Sequence, residues 1–259
     1  MPDEPFLKAA FEPPHTFLFA QPLPLRMKLW RLLRPVIFRL WRAWQRAANR
    51  TAVSVRIEQL VLQTHPQVFH PGQHFSSKLL ARYVAQLPLR GKRVLDLGTG
   101  SGVIGIAAAR HGARVLAVDR NPHAVALARS NAVSNSVSLQ TRQSDLFRGL
   151  APTEKFDWII FNPPFFAKNA QEELHAAYNA GAQLETLARF LKEAQRFLTP
   201  AGRVLLIVSS DMALKEMAGM LARFDYRLAH LETEPHWFEI FYLVQLAIAS
   251  VPVIQKESF

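Results

Sequence analysis

The run Val94-Leu95-Asp96-Leu97-Gly98-Thr99-Gly100-Ser101-Gly102 constrains this chain more than any other stretch. An apolar strand passes into a glycine-rich turn. The turn passes into the apolar helical run Val103-Ile104-Gly105-Ile106-Ala107-Ala108-Ala109. Glycines let the backbone turn sharply and let a ligand approach it closely. In an open α/β sheet that ligand sits at the carboxyl ends of the strands.

The rest of the chain carries the same alternation. Strands are expected near Arg93–Leu97, Arg114–Val118, Ser138–Thr141, Trp158–Phe161, Val204–Val208, Tyr226–His230 and Phe238–Ala247. Helices are expected near Gly102–His111, Pro122–Val133, Gln183–Leu198 and Met212–Phe224. This pattern predicts a Rossmann-like α/β fold. Its seven-stranded, mostly parallel sheet is covered by helices on both faces. The last two strands lack an intervening helix, so they are expected as an antiparallel hairpin at the sheet edge.

The turn has two readings. Gly100, Gly102 and Gly105 fit the GxGxxG dinucleotide pattern, which alone is a weak signal. Asp96 lies before the first glycine, where its carboxylate would repel a pyrophosphate, and the strand ends before Gly98 rather than running into Gly100. A carboxylate there suits a cofactor with a cationic head and no phosphate. S-adenosylmethionine carries an ammonium and a sulfonium, which Asp96 can balance directly or through water. An NAD-linked oxidoreductase is disfavoured accordingly. Asp119, at the end of the next strand, is placed to accept from both ribose hydroxyls, followed by Arg120. Its bland alternative is a helix cap ahead of Pro122. Asp145 is placed to accept from an adenine amino group, with Leu146 or Phe147 against the ring. Its alternative is a turn former. The cofactor set is therefore Asp96, Gly98, Thr99, Gly100, Gly102, Asp119, Arg120, Asp145, Leu146 and Asn162.

In order and spacing, DLGTGSG, VDRNP and SDLF resemble the class I S-adenosylmethionine-dependent methyltransferases, from about Phe69 to Ala247. The fourth strand ends in Asn162-Pro163-Pro164-Phe165. This resembles the (D/N)PP(Y/F) motif of amino-nitrogen methyltransferases, which include HemK-type glutamine enzymes, adenine-N6 enzymes and guanine-N2 enzymes of ribosomal RNA. The lone pair of an amide or aryl amine is delocalised, so the nitrogen is a poor nucleophile. Two acceptors aimed at its hydrogens hold it and favour the charge that builds as the methyl arrives. The resemblance makes the Asn162 side-chain oxygen and the Pro163 carbonyl those acceptors. Phe165 supplies a flat stacking face, and Phe166 extends it. The segment Val68–Leu80 resembles the entry loop of HemK-like and other small methyltransferase domains. His74-Phe75 stands there where several relatives carry Asp-Thr, and Phe165 replaces the usual tyrosine of the HemK group. The alternative for NPPF alone is a proline-stiffened loop. The resemblance implies in-line displacement at the sulfonium methyl, with no metal and no covalent intermediate.

Composition narrows the rest. The chain has 259 residues and no cysteine, which excludes disulfides, cysteine zinc sites and cysteine nucleophiles. His65, His70 and His74 lie close together without paired acids at ligand spacing, so no metal is expected. Residues 1–24 carry six prolines and are expected as an extended arm. Residues 25–64 are expected as a basic helical extension and 65–259 as the catalytic domain. The formal charge is +11, and Arg26, Lys28, Arg31, Arg34, Arg39, Arg42, Arg46 and Arg50 supply +8 of it with no acid between them. Three roles are open to helix 25–50: packing on its own core, an anionic RNA or ribosomal partner, or an in-plane membrane helix. No apolar run reaches the ~20 residues of a transmembrane helix. The expected setting is cytoplasmic, with attachment to ribosome or membrane through the basic helix. The expected acceptor is a protein glutamine or an RNA base. A small-molecule or membrane-associated acceptor, or a non-catalytic binding protein on the same fold, stands as the alternative.

Overall fold

The computed structural model describes residues 51–163, 185–210, 212, 214–237 and 239–249. The proline-rich arm, the basic helix 25–50, and Phe165 and Phe166 lie outside the described residues.

A seven-stranded sheet has the order β5-β4-β3-β6-β7-β9-β8. Its strands are β3 (Arg93–Leu97), β4 (Arg114–Asp119), β5 (Gln140–Gln143), β6 (Phe156–Phe161), β7 (Leu198–Ser209), β8 (Tyr226–His236) and β9 (Glu239–Ile248). From β5 through β7 all neighbours are parallel. β9 joins antiparallel to β7, and β8 antiparallel to β9. This is the Rossmann-like sheet with an antiparallel C-terminal edge hairpin.

Period-two alternation divides the core into two faces. Val94, Val115, Ala117, Trp158, Ile160, Leu205 and Ile207 face one side. They pack against α1 (Phe75–Val84), α2 (Val103–Arg110) and α3 (Pro122–Ser134). Leu95, Leu116, Val118, Ile159, Phe161, Val204, Leu206 and Val208 face the other side. They pack against α4 (Glu185–Ala194) and α5 (Leu214–Arg223). Strands buried on both faces need near-continuous apolar runs, which β3, β4, β6 and β7 supply.

The sequence-based boundaries differ from the structure in several places: β5 lies two residues later than expected, and β8 runs on to His236. β7 begins six residues earlier than expected, because Leu198 already pairs with Phe156 before a bulge shifts the register. Helix Phe75–Val84 stands where an entry loop was expected. Within the expected helical extension, Ser54–Ile57 (β1) and Leu60–Gln63 (β2) form a two-stranded antiparallel hairpin. The alternation of β2 explains it: Leu60 and Leu62 are buried while Val61 and Gln63 are exposed. Leu62 and Ile57 join the same core as α1 and α2, so the hairpin is part of the catalytic unit.

That placement has a measurable consequence. Leu62→Ala removes a fully buried side chain and is expected to lower unfolding free energy by about 2–5 kcal/mol. Urea denaturation reads this directly. A change below ~0.5 kcal/mol, the range of surface substitutions, would return the hairpin to the status of an appendage.

Candidate active site

Order along the sheet sets the site. The carboxyl ends of β5, β4, β3 and β6 lie side by side, and each delivers one expected residue: Asp145, Asp119, the glycine turn and Asn162. Leu97 pairs with Phe161, so Gly98 and Asn162 leave adjacent strands at the same level. A Cβ on Gly98 would stand 3.5 Å from the Phe161 ring. Between β3 and β6 the winding changes direction, and crevices at such points bind ligands in doubly wound folds.

Asp96 acts from beneath the turn. It is 3% exposed, and its Oδ2 accepts from the Thr99 hydroxyl at 2.6 Å and from the Gly105 amide at 2.9 Å. Gly105 is also a packing requirement, since an added Cβ would stand 3.0 Å from Asp96 Oδ2. Burial raises the Asp96 pKa to about 6, against the lowering effect of those two hydrogen bonds. Thr99 is thus oriented inward, toward Asp96. The turn closes through Gly98 and Thr99 amides on the Val118 carbonyl, at 2.8 and 3.0 Å. Gly102 caps α2 in a left-handed conformation with φ 87°. A Cβ there would meet the Ala128 Cα at 3.0 Å.

Asp119 closes the other lip. Its Oδ2 accepts from Gly100 N–H at 3.0 Å, and its Oδ1 from Asn121 N–H at 2.9 Å. Burial raises its pKa while these amides lower it. Each oxygen keeps a second lone pair for a hydroxyl donor. The cap of α3 is supplied by Asn121, whose side chain accepts from His123 N–H, rather than by Asp119. The Arg120 side chain is exposed.

Asp145 is half-exposed and paired with Arg148 at 3.3 Å and Arg189 at 3.1 Å. Its turn is built by Ser144, whose buried hydroxyl donates to the Leu146 carbonyl and accepts from Gly149 N–H. Leu146 has φ 51°. Phe147 does not flank this crevice. It is buried against Phe197 and Phe190 in the core, which leaves Leu146 as the ring-contacting candidate.

Asn162 and Pro163 follow β6, and Pro163 is buried. Asn162 Nδ2 points to the Ser76 hydroxyl at 3.5 Å. Asn162 Oδ1 is buried and has no hydrogen-bond partner among the described residues. Ser76 was not singled out from sequence; it lies in the first turn of α1, within the segment read as a loop. Phe75 beside it stacks on His236 at 3.6 Å, so α1 also ties the clamp to the tip of the β8–β9 hairpin. At that tip Trp237 is 79% exposed, whereas Phe241 packs inside, on β9, which lies between β7 and β8 and is not itself the edge strand. The grouped histidines have structural roles: His70 Nδ1 accepts from Gly72 N–H, His65 stacks on His123, and His74 stacks on Phe69.

The residues fit S-adenosylmethionine: a buried carboxylate, Asp96, under the turn for a cationic amino-acid head, a half-buried one, Asp119, for a diol, and a glycine turn that lets a ligand come close. The Asp96 pKa gives a signed expectation. Its folded pKa of about 6 exceeds its ordinary value of 3.8. The folded apoprotein therefore holds a proton there that the unfolded chain has lost, and this stabilising contribution disappears as pH rises through about 6. A cationic ligand favours the ionised form, so S-adenosylmethionine affinity is expected to rise between ~pH 5 and ~pH 7 with proton release. Calorimetry in buffers of different ionisation enthalpy measures both, and a flat profile would contradict the assignment. Gly102→Ala is expected to abolish cofactor binding, by strain at positive φ and contact with Ala128.

The Methyltransferase small domain family matches residues 59–234. A putative protein N5-glutamine methyltransferase of Methanocaldococcus jannaschii is 36% identical over 180 residues, 67% of this chain and 88% of that protein. The release factor glutamine methyltransferase of Rhodopirellula baltica is 30% identical over 177 residues, covering 62% of this chain but only 58% of the relative. A T. thermophilus 16S rRNA N2 methyltransferase, solved with AdoMet and guanosine, shares the fold at TM-score 0.58 and 24% identity, over 75% of this chain and 50% of that one. The chain belongs to the Methyltransferase small domain family and is an S-adenosylmethionine-dependent methyltransferase.

Proposed function

We propose that this enzyme methylates a planar NH₂ nitrogen of a macromolecule, with a protein glutamine as the first acceptor. The observation that carries it is the buried Asn162 Oδ1 beside the glycine turn, which has no hydrogen-bond partner among the described residues. A buried acceptor left without a donor costs about 1–3 kcal/mol. An incoming N–H removes that penalty, so the apoprotein is already shaped for a donor of this kind. The Ser76 contact fixes which way the amide faces. In this reading Asn162 Oδ1 and the Pro163 carbonyl take the two hydrogens of the acceptor, and Phe165 stacks on its plane.

S-adenosylmethionine supplies a methyl on sulfonium that is electrophilic without further activation. The chain's residues orient the nitrogen and stabilise the positive charge that develops on it. They need no strong base, since the nitrogen can lose its proton after transfer. Asp119 in this scheme takes the ribose hydroxyls, and Asp145 and Leu146 face the adenine.

Glutamine comes first because the M. jannaschii relative, matched over 88% of its length, is named for that acceptor. An RNA base is the second reading, favoured by the +8 block of residues 25–50 and by the rRNA small-subunit methyltransferase C of Chromohalobacter salexigens, 32% identical over 42% of its length. The release factor and ribosomal RNA acceptors named for two relatives support a cytoplasmic setting. Among the described residues no helix is long and apolar enough to cross a membrane.

Labelled-methyl transfer from S-adenosylmethionine into fractionated cell extract distinguishes the acceptors. Counts are expected in protein on glutamine nitrogen. Counts confined to lipid or small molecules would overturn the macromolecular reading. Asn162→Ala is expected to reduce transfer by ~10²–10³-fold while leaving cofactor affinity within a few-fold. Trp237→Ala is expected to raise the acceptor KM and leave the cofactor KM unchanged. Equal effects on both would remove the hairpin tip from the acceptor side.

A further inference from the structure

The N-terminal hairpin is attached to the cofactor side of the sheet in an unusual way. Residues 61–67 run along α3, antiparallel to it. Asn135 Oδ1 accepts from Val61 N–H at 3.0 Å, and its Nδ2 donates to the Val61 carbonyl at 2.8 Å. Asn131 treats Gln63 the same way, at 2.8 Å from the amide and 3.0 Å to the carbonyl. Toward the start of α3, His65 stacks on His123 with ring centroids 4.9 Å apart. Asn121 Nδ2 donates to the Gln67 carbonyl at 2.7 Å. The outer edge of β2 thus pairs with two asparagine amides, one helical turn apart, that stand in for a neighbouring strand.

The two asparagines differ in one respect. Asn135 sits at the C-cap of α3 and returns its second donor to Asn131's carbonyl. Asn131 is fully buried, and its second donor goes to the Ser101 carbonyl at 2.9 Å. Ser101 lies between Gly100, whose amide is bound by Asp119, and Gly102, which packs on Ala128. The amide of Asn131 is saturated: one acceptor and both donors are used, and all three partners are backbone groups of elements other than α3. A side chain with this pattern cannot move without moving both the hairpin and the cofactor turn.

We propose that Asn131 is a positioning residue for cofactor binding: it locks the backbone between Gly100 and Gly102 through Ser101 and makes that lock depend on the seating of the β1–β2 hairpin. This couples the cofactor turn to the β1–β2 hairpin through one side chain. It rests on the cofactor site assigned above.

The test compares variants on the full-length protein, with S-adenosylhomocysteine as the probe in calorimetry. Asn135→Ala is the matched control, since it loosens the strap at Val61 and leaves the Ser101 bond in place. Asn131→Ala is expected to weaken probe binding by about tenfold or more, the scale of one lost buried hydrogen bond with its partner left unmet. Asn135→Ala, at comparable loss of thermal stability, is expected to stay within ~twofold of the parent. Hydrogen exchange at the Gly100–Gly102 amides should accelerate in the first variant and not in the second. Equal weakening by both substitutions, or unchanged binding in Asn131→Ala, overturns the proposal. If Asn131→Ala does not fold, Gln63→Pro decides. It removes the N–H that Asn131 accepts at an edge position outside the β1–β2 ladder, and unchanged probe affinity there refutes the link to the hairpin. Absence of probe binding by the parent protein would instead sink the cofactor assignment itself.

Discussion

A single carboxylate oxygen organises this protein. Asp96 Oδ2 collects the Thr99 hydroxyl and the Gly105 amide, so it holds both limbs of the turn that joins β3 to α2. A buried carboxylate without such donors would be driven to its neutral form. Two donors offset much of that, and a Cβ on Gly105 would crowd Asp96 Oδ2 at 3.0 Å. The turn is held further by its own amides, since those of Gly98 and Thr99 close on the Val118 carbonyl and that of Gly100 on Asp119. Because the anion lies under the turn, a cation above it is favoured through the turn itself rather than by direct contact.

Around that anchor the sheet arranges chemistry by strand order. The four parallel strands from β5 to β6 present, in sequence across the rim, an acid, a second acid, an amide-lined turn and a side-chain amide. No single element could hold that span. It exists because parallel strands share a direction and end together, and because Leu97 and Phe161 are paired in register. The acceptor side is supported from elsewhere: α1 sends Ser76 to Asn162 and Phe75 to the terminal hairpin.

Much of this was legible in the chain alone, for physical reasons. β3, β4 and β6 are short apolar runs that end in motif residues, so periodicity and motif point to the same boundaries. Asp96, Asp119 and Asn162 stand out in the sequence because each lies at or beside a strand's carboxyl end, where open α/β sheets bind ligands. What was hidden depended on distant partners. Ser76 and Asn131 are polar residues in helices, indistinguishable by sequence from solvated ones. Their meaning arises only when residues 86 positions away, or 68 and 30 positions away, are brought against them. The β1–β2 hairpin is too short for its alternation to stand out, and it followed a strongly basic segment that dominated the composition there. Phe147 was ambiguous because an aromatic after a strand end can turn toward either ligand or core, and only the packing of Phe190 and Phe197 decides it.

The asparagine ladder along α3 also governs how the nascent chain is assembled. Val61 and Gln63 wait for partners 74 and 68 residues downstream. At ribosomal elongation of about 5–20 residues per second, the hairpin emerges several seconds before its dock has been synthesised. During that interval α1 and α2 can already cover Ile57, Leu60 and Leu62, but the outer edge of β2 lacks its two asparagines. That bare edge, with its unpaired N–H and C=O groups, is open to wrong pairings until the third helix arrives.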